Sequence, residues 1–426
     1  MHVLDESHIL LFLLQLLVLL GAARTLGALC EELRVPAIAG EILAGVLLGP
    51  TVFGRIGPDA QRWLFPSETV QATMLETVSW LGVFFLLLAS GFHVDVRQAL
   101  REGRAALLVG VVGVIVPIAI GYPVFAALDA ELWGAEANRF SFALFLAVAS
   151  SITAISVVAR AIADLGLARS DDGTLALSAC AVNDVFGWFL FTIVLSVATA
   201  TQVDATEMAR TSIGIVLFVA ACISIGSRVV GVAARAVLRT SLPQPAALMT
   251  LVVTVGLLCG VITQWLGIHA ILGFFLAGTM AGSSEEVPEE LAHNLSATLH
   301  AVFVPVFFAT LGLQIDFVTG MDLGVTALFT AVAMGGKFVG AWMGARMALL
   351  PQARSVLLGI VFVPGGAMEI VVGALALELQ LISETVFVAI VFAALLSSIV
   401  VGPLIALRTR RGESRPGREP EPSATP

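Results

Sequence analysis

Apolar runs of about 17–25 residues, separated by short polar or Gly- and Pro-bearing intervals, recur from the N-terminus to about residue 408; as helices, such lengths cross a hydrocarbon layer of roughly 30 Å. Taken in turn they predict helices over about 8–30, 36–53, 72–92, 104–127, 138–164, 173–198, 212–238, 246–266, 268–284, 297–316, 322–349, 354–378 and 383–407. That makes about thirteen spans, or twelve if Ala246 to Ser283 is one element. The alternating short strands of a porin-like barrel are missing from the pattern.

Two runs break the pattern from inside. Ala147 to Arg160 reads AVASSITAISVVAR, with Ser150, Ser151, Thr153 and Ser156 gathered in the middle of an apolar stretch. Phe362 to Val372 reads FVPGGAMEIVV, where Pro364 removes a backbone donor and Gly365 and Gly366 free the backbone dihedrals. Unwound chain is tolerated at membrane depth only where protein or water satisfies it. These are the fifth and twelfth spans. Dividing the chain as six helices, a connecting helix and six more puts each at the fifth place of its half, the arrangement of two inverted repeats with an ion site between them. Kinked packing helices without a site are the plainer alternative.

Composition supports the membrane reading: 58% of the 426 residues are hydrophobic and 12% charged, against the 45–50% and about 25% usual in soluble domains. The net charge of −9 says little until the loops are sorted by side. With an odd number of spans and the C-terminus inside, seventeen arginines fall on the cytoplasmic face and only Arg55, Arg62, Arg139 and Arg210 outside, which the positive-inside rule favours. The N-terminus is then outside. Asp5 and Glu6 precede the first apolar run where a signal peptide would carry positive charge, so that run reads as a retained helix. Residues 1–407 read as the transmembrane domain, and 408–426, rich in Pro, Arg and Glu, as a disordered cytoplasmic tail. No basic patch interleaved with aromatics suggests nucleic acid. Cys30, Cys180, Cys222 and Cys259 form no metal or redox motif, and no cofactor is implied.

The charges inside the spans carry the chemistry. Asp184 follows Asn183 deep in the sixth span, where exposing a carboxylate to lipid costs at least about 2.5–3.5 kcal/mol, so it must face protein or water. Burial favours its neutral acid and a bound cation favours its carboxylate, so one group can carry either ion in competition. Asn183 can order Asp184 or lend an amide oxygen to a dehydrated cation; gluing helices together is the plain alternative for the pair. Lys337 is the one lysine in a chain with twenty-one arginines, which suggests a positional requirement in the eleventh span rather than interfacial snorkelling. It is expected in the same interior region as Asn183 and Asp184. Glu369, after the Pro364-Gly365-Gly366 break, and Glu41, in AGEILAGVLLGP, divide evenly between packing-network and water-exposed relay roles.

At this point the chain resembles the monovalent cation/proton antiporters, in particular the bacterial sodium/proton and potassium/proton exchangers. The resemblance runs from about Leu10 to Leu407 through ordered blocks: PAIAGEILAGVLLGP, FFLLLASGFHVD, SITAISVVARAIADLGL, CAVNDVFGWFLF, IHAILGFFLAG, VPVFFATLGLQID and GKFVGAWMGAR. It implies that Asp184 carries cation and proton beside Asn183, that Lys337 is the basic residue near that site, and that Thr153 and Ala154 lie in one unwound crossover with Pro364 to Glu369 in the other. It also implies a homodimer in a cell inner or plasma membrane, in which a core part moves against an interleaved dimerisation part. The chain departs from the pattern in two places. Ser156 stands where a proline is common, and Gly365 stands where an arginine is common, which leaves Glu369 unpaired or differently paired. The implied activity is exchange of Na+, or else K+, for H+ by alternating access. A channel, a transport-inactive cation sensor and an organic-solute/proton exporter remain as alternatives.

Overall fold

The computed structural model describes residues 5–413 apart from 34, 95, 165, 166, 168, 169, 200–204, 268 and 319. Among the described residues there is no strand, only a single bridge between Trp133 and Ile382. In chain order the principal helices are α1 (Glu6–Glu32), α2 (Ala37–Leu48), α3 (Thr69–Phe92), α4 (Val96–Phe125), α5 (Arg139–Ala149) and α6 (Ile155–Asp164). Then come α7 (Asp171–Thr199), α8 (Ala205–Ala221), α9 (Ser227–Leu238), α10 (Ala246–Trp265), α11 (Ala270–Gly282) and α12 (Glu289–Thr298). The last five are α13 (Val304–Leu313), α14 (Leu323–Met347), α15 (Gln352–Val361), α16 (Gly366–Glu378) and α17 (Glu384–Glu413).

Ten helical stretches are long and apolar enough to cross a membrane, and α15 with α16, bent by 49° at their break, make an eleventh. The α5–α6 pair and α11 fall below that length and occupy the two remaining positions in the predicted order. The protein is therefore an all-α polytopic membrane protein. Where 246–284 leaves the choice between one element and two, the chain divides: α10 ends at Trp265, Gly267 takes a φ of +77°, and His269 begins α11 as its N-cap. Two predicted single helices each contain one π turn, Cys222–Gly226 between α8 and α9 and Leu299–Phe303 between α12 and α13. The last helix runs to Glu413, past the expected end at Leu407. Residues 414–426, most of the expected disordered tail, lie outside the described residues.

Packing sorts the helices into two groups. In a crossing bundle, α4 lies along α14, α7 and α5, while α17 lies along α14, α15 and α16. In a panel, α2 lies along α1 and α13, and α11 lies along α3, α10 and α9. The panel is tightly zipped where Gly45 of α2 meets α13. A Cβ at Gly45 would run into the Ala309 carbonyl, and one at Gly312 into the Ile42 carbonyl, so only glycine allows this approach. The groups meet where α7 touches α11, with the Trp188 ring 6.0 Å from that of Phe275.

Candidate functional site

The two broken helices position the site. α5 starts cleanly because the Asn138 side chain accepts from the amides of Phe140 and Ser141, while the Ser141 hydroxyl accepts from the Asn138 amide, a reciprocal cap. It stops at Ala149, and Ser150 and Ser151 turn their hydroxyls back onto the carbonyls of Ala147 and Val148. The chain is then unwound from Ile152 to Ala154 before α6 resumes at Ile155. Opposite it, Val363 to Gly365 is unwound between α15 and α16.

The two breaks satisfy each other. Ala154 N–H donates to the Pro364 carbonyl at 2.9 Å, and the Thr153 hydroxyl donates to the Phe362 carbonyl at 3.0 Å. The Gly365 amide donates to Ser397 Oγ of α17 at 3.2 Å. Gly366 takes a φ of +55°, and a Cβ there would come within 2.7 Å of the Ala154 methyl, so glycine is required both for the turn and for the approach.

Two charges complete the crossing. Lys337 and Glu369 are each 0% exposed and form an ion pair, Nζ to Oε2 at 3.1 Å. Lys337 also donates to the Ile152 carbonyl at 3.4 Å. The electrostatic reason is visible in the backbone. Glu369 lies in the first turn of α16, at the positive end of its dipole, and Lys337 donates to the Ile152 carbonyl in the break that follows the C-terminus of α5, on its negative side. Gly365 makes room for this arrangement, since any side chain there would collide with Glu369 Oε2.

Beside the crossing, α7 brings Asn183 and Asp184, both 0% exposed. Asn183 Oδ1 accepts from the Thr153 amide at 3.2 Å, which ties α7 directly to the first break, while its Nδ2 has no partner. Neither carboxylate oxygen of Asp184 has a hydrogen-bond partner among the described residues, and Glu369 Oε1 has none either. The structure thus brings Asn183, Asp184, Thr153, Ala154, Lys337, Glu369, Pro364, Gly365 and Gly366 into one region. Lys337 is paired with Glu369 rather than with Asp184. Glu41 stands apart: it is 2% exposed on α2, in the panel against α1 and α13, with Oε2 unpartnered. Ser156 falls in the first turn of α6, and its side chain lies outside the described ones.

Sequence reading misses Ser397, although ALLSSIV places two hydroxyls in an apolar run, the same signal that marks residues 150–156. It also misses Gly113 of α4, where a Cβ would sit 3.5 Å from Asn183 Nδ2; one glycine in an apolar helix carries no visible signal.

Residues 16–409 match the family model described as the transmembrane sodium/hydrogen exchanger. The chain belongs to the sodium/hydrogen exchanger family. Members of this family are antiporters, transporters rather than enzymes, that exchange cations for protons across a membrane. The exchanger is 28% identical over 412 residues to the Na(+)/H(+) antiporter NhaS4 of Synechocystis, covering 94% of this chain and 98% of the relative. It is also 28% identical over 416 residues to the K(+)/H(+) antiporter 1 of Saccharomyces cerevisiae, covering 95% of this chain but only 47% of that protein, so it spans about half of the yeast relative. The sodium proton antiporter MjNhaP1 of Methanocaldococcus jannaschii, determined at pH 8, superposes with a TM-score of 0.67 at 13% identity, covering 95% of this exchanger and 98% of that chain, which places the two in one fold.

Proposed function

We propose that this exchanger moves one monovalent cation, Na+ in the first instance and K+ in the second, against one proton, with Asp184 carrying either ion in turn. The observation that carries the reading is Asp184 itself: a fully buried carboxylate with both oxygens unpartnered, next to the residue that binds the first break. Unsatisfied carboxylate oxygens at this depth are costly, and a proton or a dehydrated cation each relieves the cost. The Asn183 amide, the Thr153 hydroxyl oxygen and backbone carbonyls freed at the breaks are the oxygens from which a monovalent cation would complete its shell. Lys337 and Glu369 hold the crossing together in this reading and do not take the transported ion.

The division into bundle and panel suggests the movement: the bundle carries Asp184 across while the panel stays fixed in the membrane. The homodimer, formed through the panel, and the outside N-terminus belong to the same proposal; mass in a gentle detergent and protease access to each terminus read them.

Purified protein in sealed vesicles tests the carrier. With a sodium gradient and then a potassium gradient imposed, the wild type drives proton movement, and the larger flux ranks the ions. Asp184→Asn keeps the size and removes the titrating charge, so its flux falls to background while the protein stays folded. A folded variant exchanging at the wild-type rate would remove Asp184 from the carrier role.

A further inference from the structure

Between panel and bundle lies a cavity of about 670 Å³, lined from one side by α1, α3, α11 and α13 and from the other by α16 and the start of α17, with none of Thr153, Asn183, Asp184, Lys337 or Glu369 in its lining. Its polar lining is carboxylate, hydroxyl and amide together with the Trp80 indole, the charged members being Glu76, Glu378 and Glu384; among the described lining residues there is no lysine, arginine or histidine. Glu76 of α3 and Glu378 at the end of α16 both open into it, within coulombic range of one another. They belong to different groups of helices, so any ligand shared by the pair spans the seam between panel and bundle.

Carboxylates alone would only be a wet acidic surface, but the wall around them is built and incomplete. Gln71 is 1% exposed; its Nε2 donates to Gln15 Oε1 at 2.8 Å, and Gln15 Nε2 in turn donates to the Leu64 carbonyl at 2.7 Å. This buried amide chain fixes Gln71 and leaves its Oε1 without a donor at the cavity wall. The hydroxyls of Ser79 and Thr310, 9% and 8% exposed, also line the cavity and are likewise unpartnered. Orphaned acceptors at this burial cost free energy unless something donates to them or coordinates them.

We infer that this seam is a second cation site, distinct from the transport site, which takes a Ca2+-like divalent ion between Glu76 and Glu378. Carboxylate, hydroxyl and amide oxygens select hard cations, and carboxylates on opposite walls match a dication better than a monovalent ion. Calcium tolerates irregular geometry and completes its shell with water, which a cavity of this size holds. Because one carboxylate rides on the bundle and the other on the panel, the bound ion pins the two together and slows exchange. The slowing rests on the moving-bundle reading above; the binding does not.

Terbium, a luminescent stand-in for calcium, tests the binding directly because Trp80 lines the same cavity and can sensitise its emission. Titrating Tb3+ into the purified exchanger in a neutral detergent should give saturable tryptophan-sensitised emission that Ca2+ competes away. Glu76→Gln and Glu378→Gln should each weaken this binding by at least about tenfold, one lost carboxylate ligand of two. Trp80→Phe should remove the emission while leaving Ca2+ binding by calorimetry unchanged. In vesicles, Ca2+ supplied on the cavity side should slow wild-type exchange and leave the Glu378→Gln variant at its own uninhibited rate. Emission that does not saturate in the wild type, or that persists unchanged in both glutamate variants, overturns the site. Saturable binding with no slowing of a working exchanger overturns the pinning.

Discussion

Lys337 and Glu369 show how much one buried pair can hold. Both are fully shielded, and their bond closes the ends of two interrupted helices at once. Removing one member leaves the other charge alone in a low-dielectric interior, which costs about 3–5 kcal/mol, more than most side-chain losses in a folded protein. Lys337→Ala should therefore lower the thermal midpoint of the purified exchanger sharply. The double variant Lys337→Met with Glu369→Gln, which leaves no unpaired charge, should regain most of that loss. A single variant as stable as the double would mean that the pair contributes nothing to the crossing. Sequence reading finds both residues, since charges inside apolar runs stand out, but it does not find their partnership: it expects Lys337 beside Asn183 and Asp184, because helix order leaves open which face each helix turns inward. The structure pairs it with Glu369 instead, whose carboxylate occupies the space that the missing side chain of Gly365 leaves.

Among the elements, the interruptions are the most legible feature and the turn that makes them is the most demanding. Pro364, the glycine pair and the hydroxyl cluster around Thr153 announce both breaks, because such residues are disfavoured in an ordinary spanning helix. The cross-bond from Ala154 to Pro364 cannot be read that way, since backbone groups carry no sequence signal. Gly366 carries the sharpest local requirement. An alanine there must adopt a left-handed backbone, at roughly 1–2 kcal/mol, and also push against the Ala154 methyl. Gly366→Ala is expected to destabilise the protein by more than the backbone term alone and to slow exchange, measured by thermal unfolding and by flux in the same preparation. Unchanged values for both would show that the crossing relaxes freely. The π turns in α8–α9 and α12–α13 mark the opposite limit, for nothing in CISIG or LHAVF distinguishes them from helix.

For the whole molecule, the proposed movement of the bundle against the panel is what would let a single carboxylate serve two ions. In the proposed carrier role, one Asp184 holds a proton or a cation but not both, so the ions compete from whichever side the site faces. Below the range where Asp184 titrates freely, each unit of falling pH should raise the cation concentration needed for half-maximal exchange by about tenfold, the slope of one competing proton. Vesicle flux measured across pH and cation concentration gives this slope directly; a half-maximal concentration independent of pH would mean that the ions occupy separate sites.

The Lys337–Glu369 bond has a further consequence, for electricity. Its two charges cancel each other without calling on Asp184, so the pair adds nothing to the charge that Asp184 brings to the moving part. In the proposed cycle, with Asp184 neutralised by a proton on one crossing and by a monovalent cation on the other, the bundle carries the same net charge in both directions. Membrane voltage acts on a moving elementary charge with about 2.3 kcal/mol per 100 mV, and on such a cycle it finds nothing to act on. Exchange by this protein should then be electroneutral, with fluxes in voltage-clamped vesicles the same at either polarity. A flux that rises or falls with the imposed potential would reveal that Lys337, or Glu369 with it, lets go of its partner in every turnover.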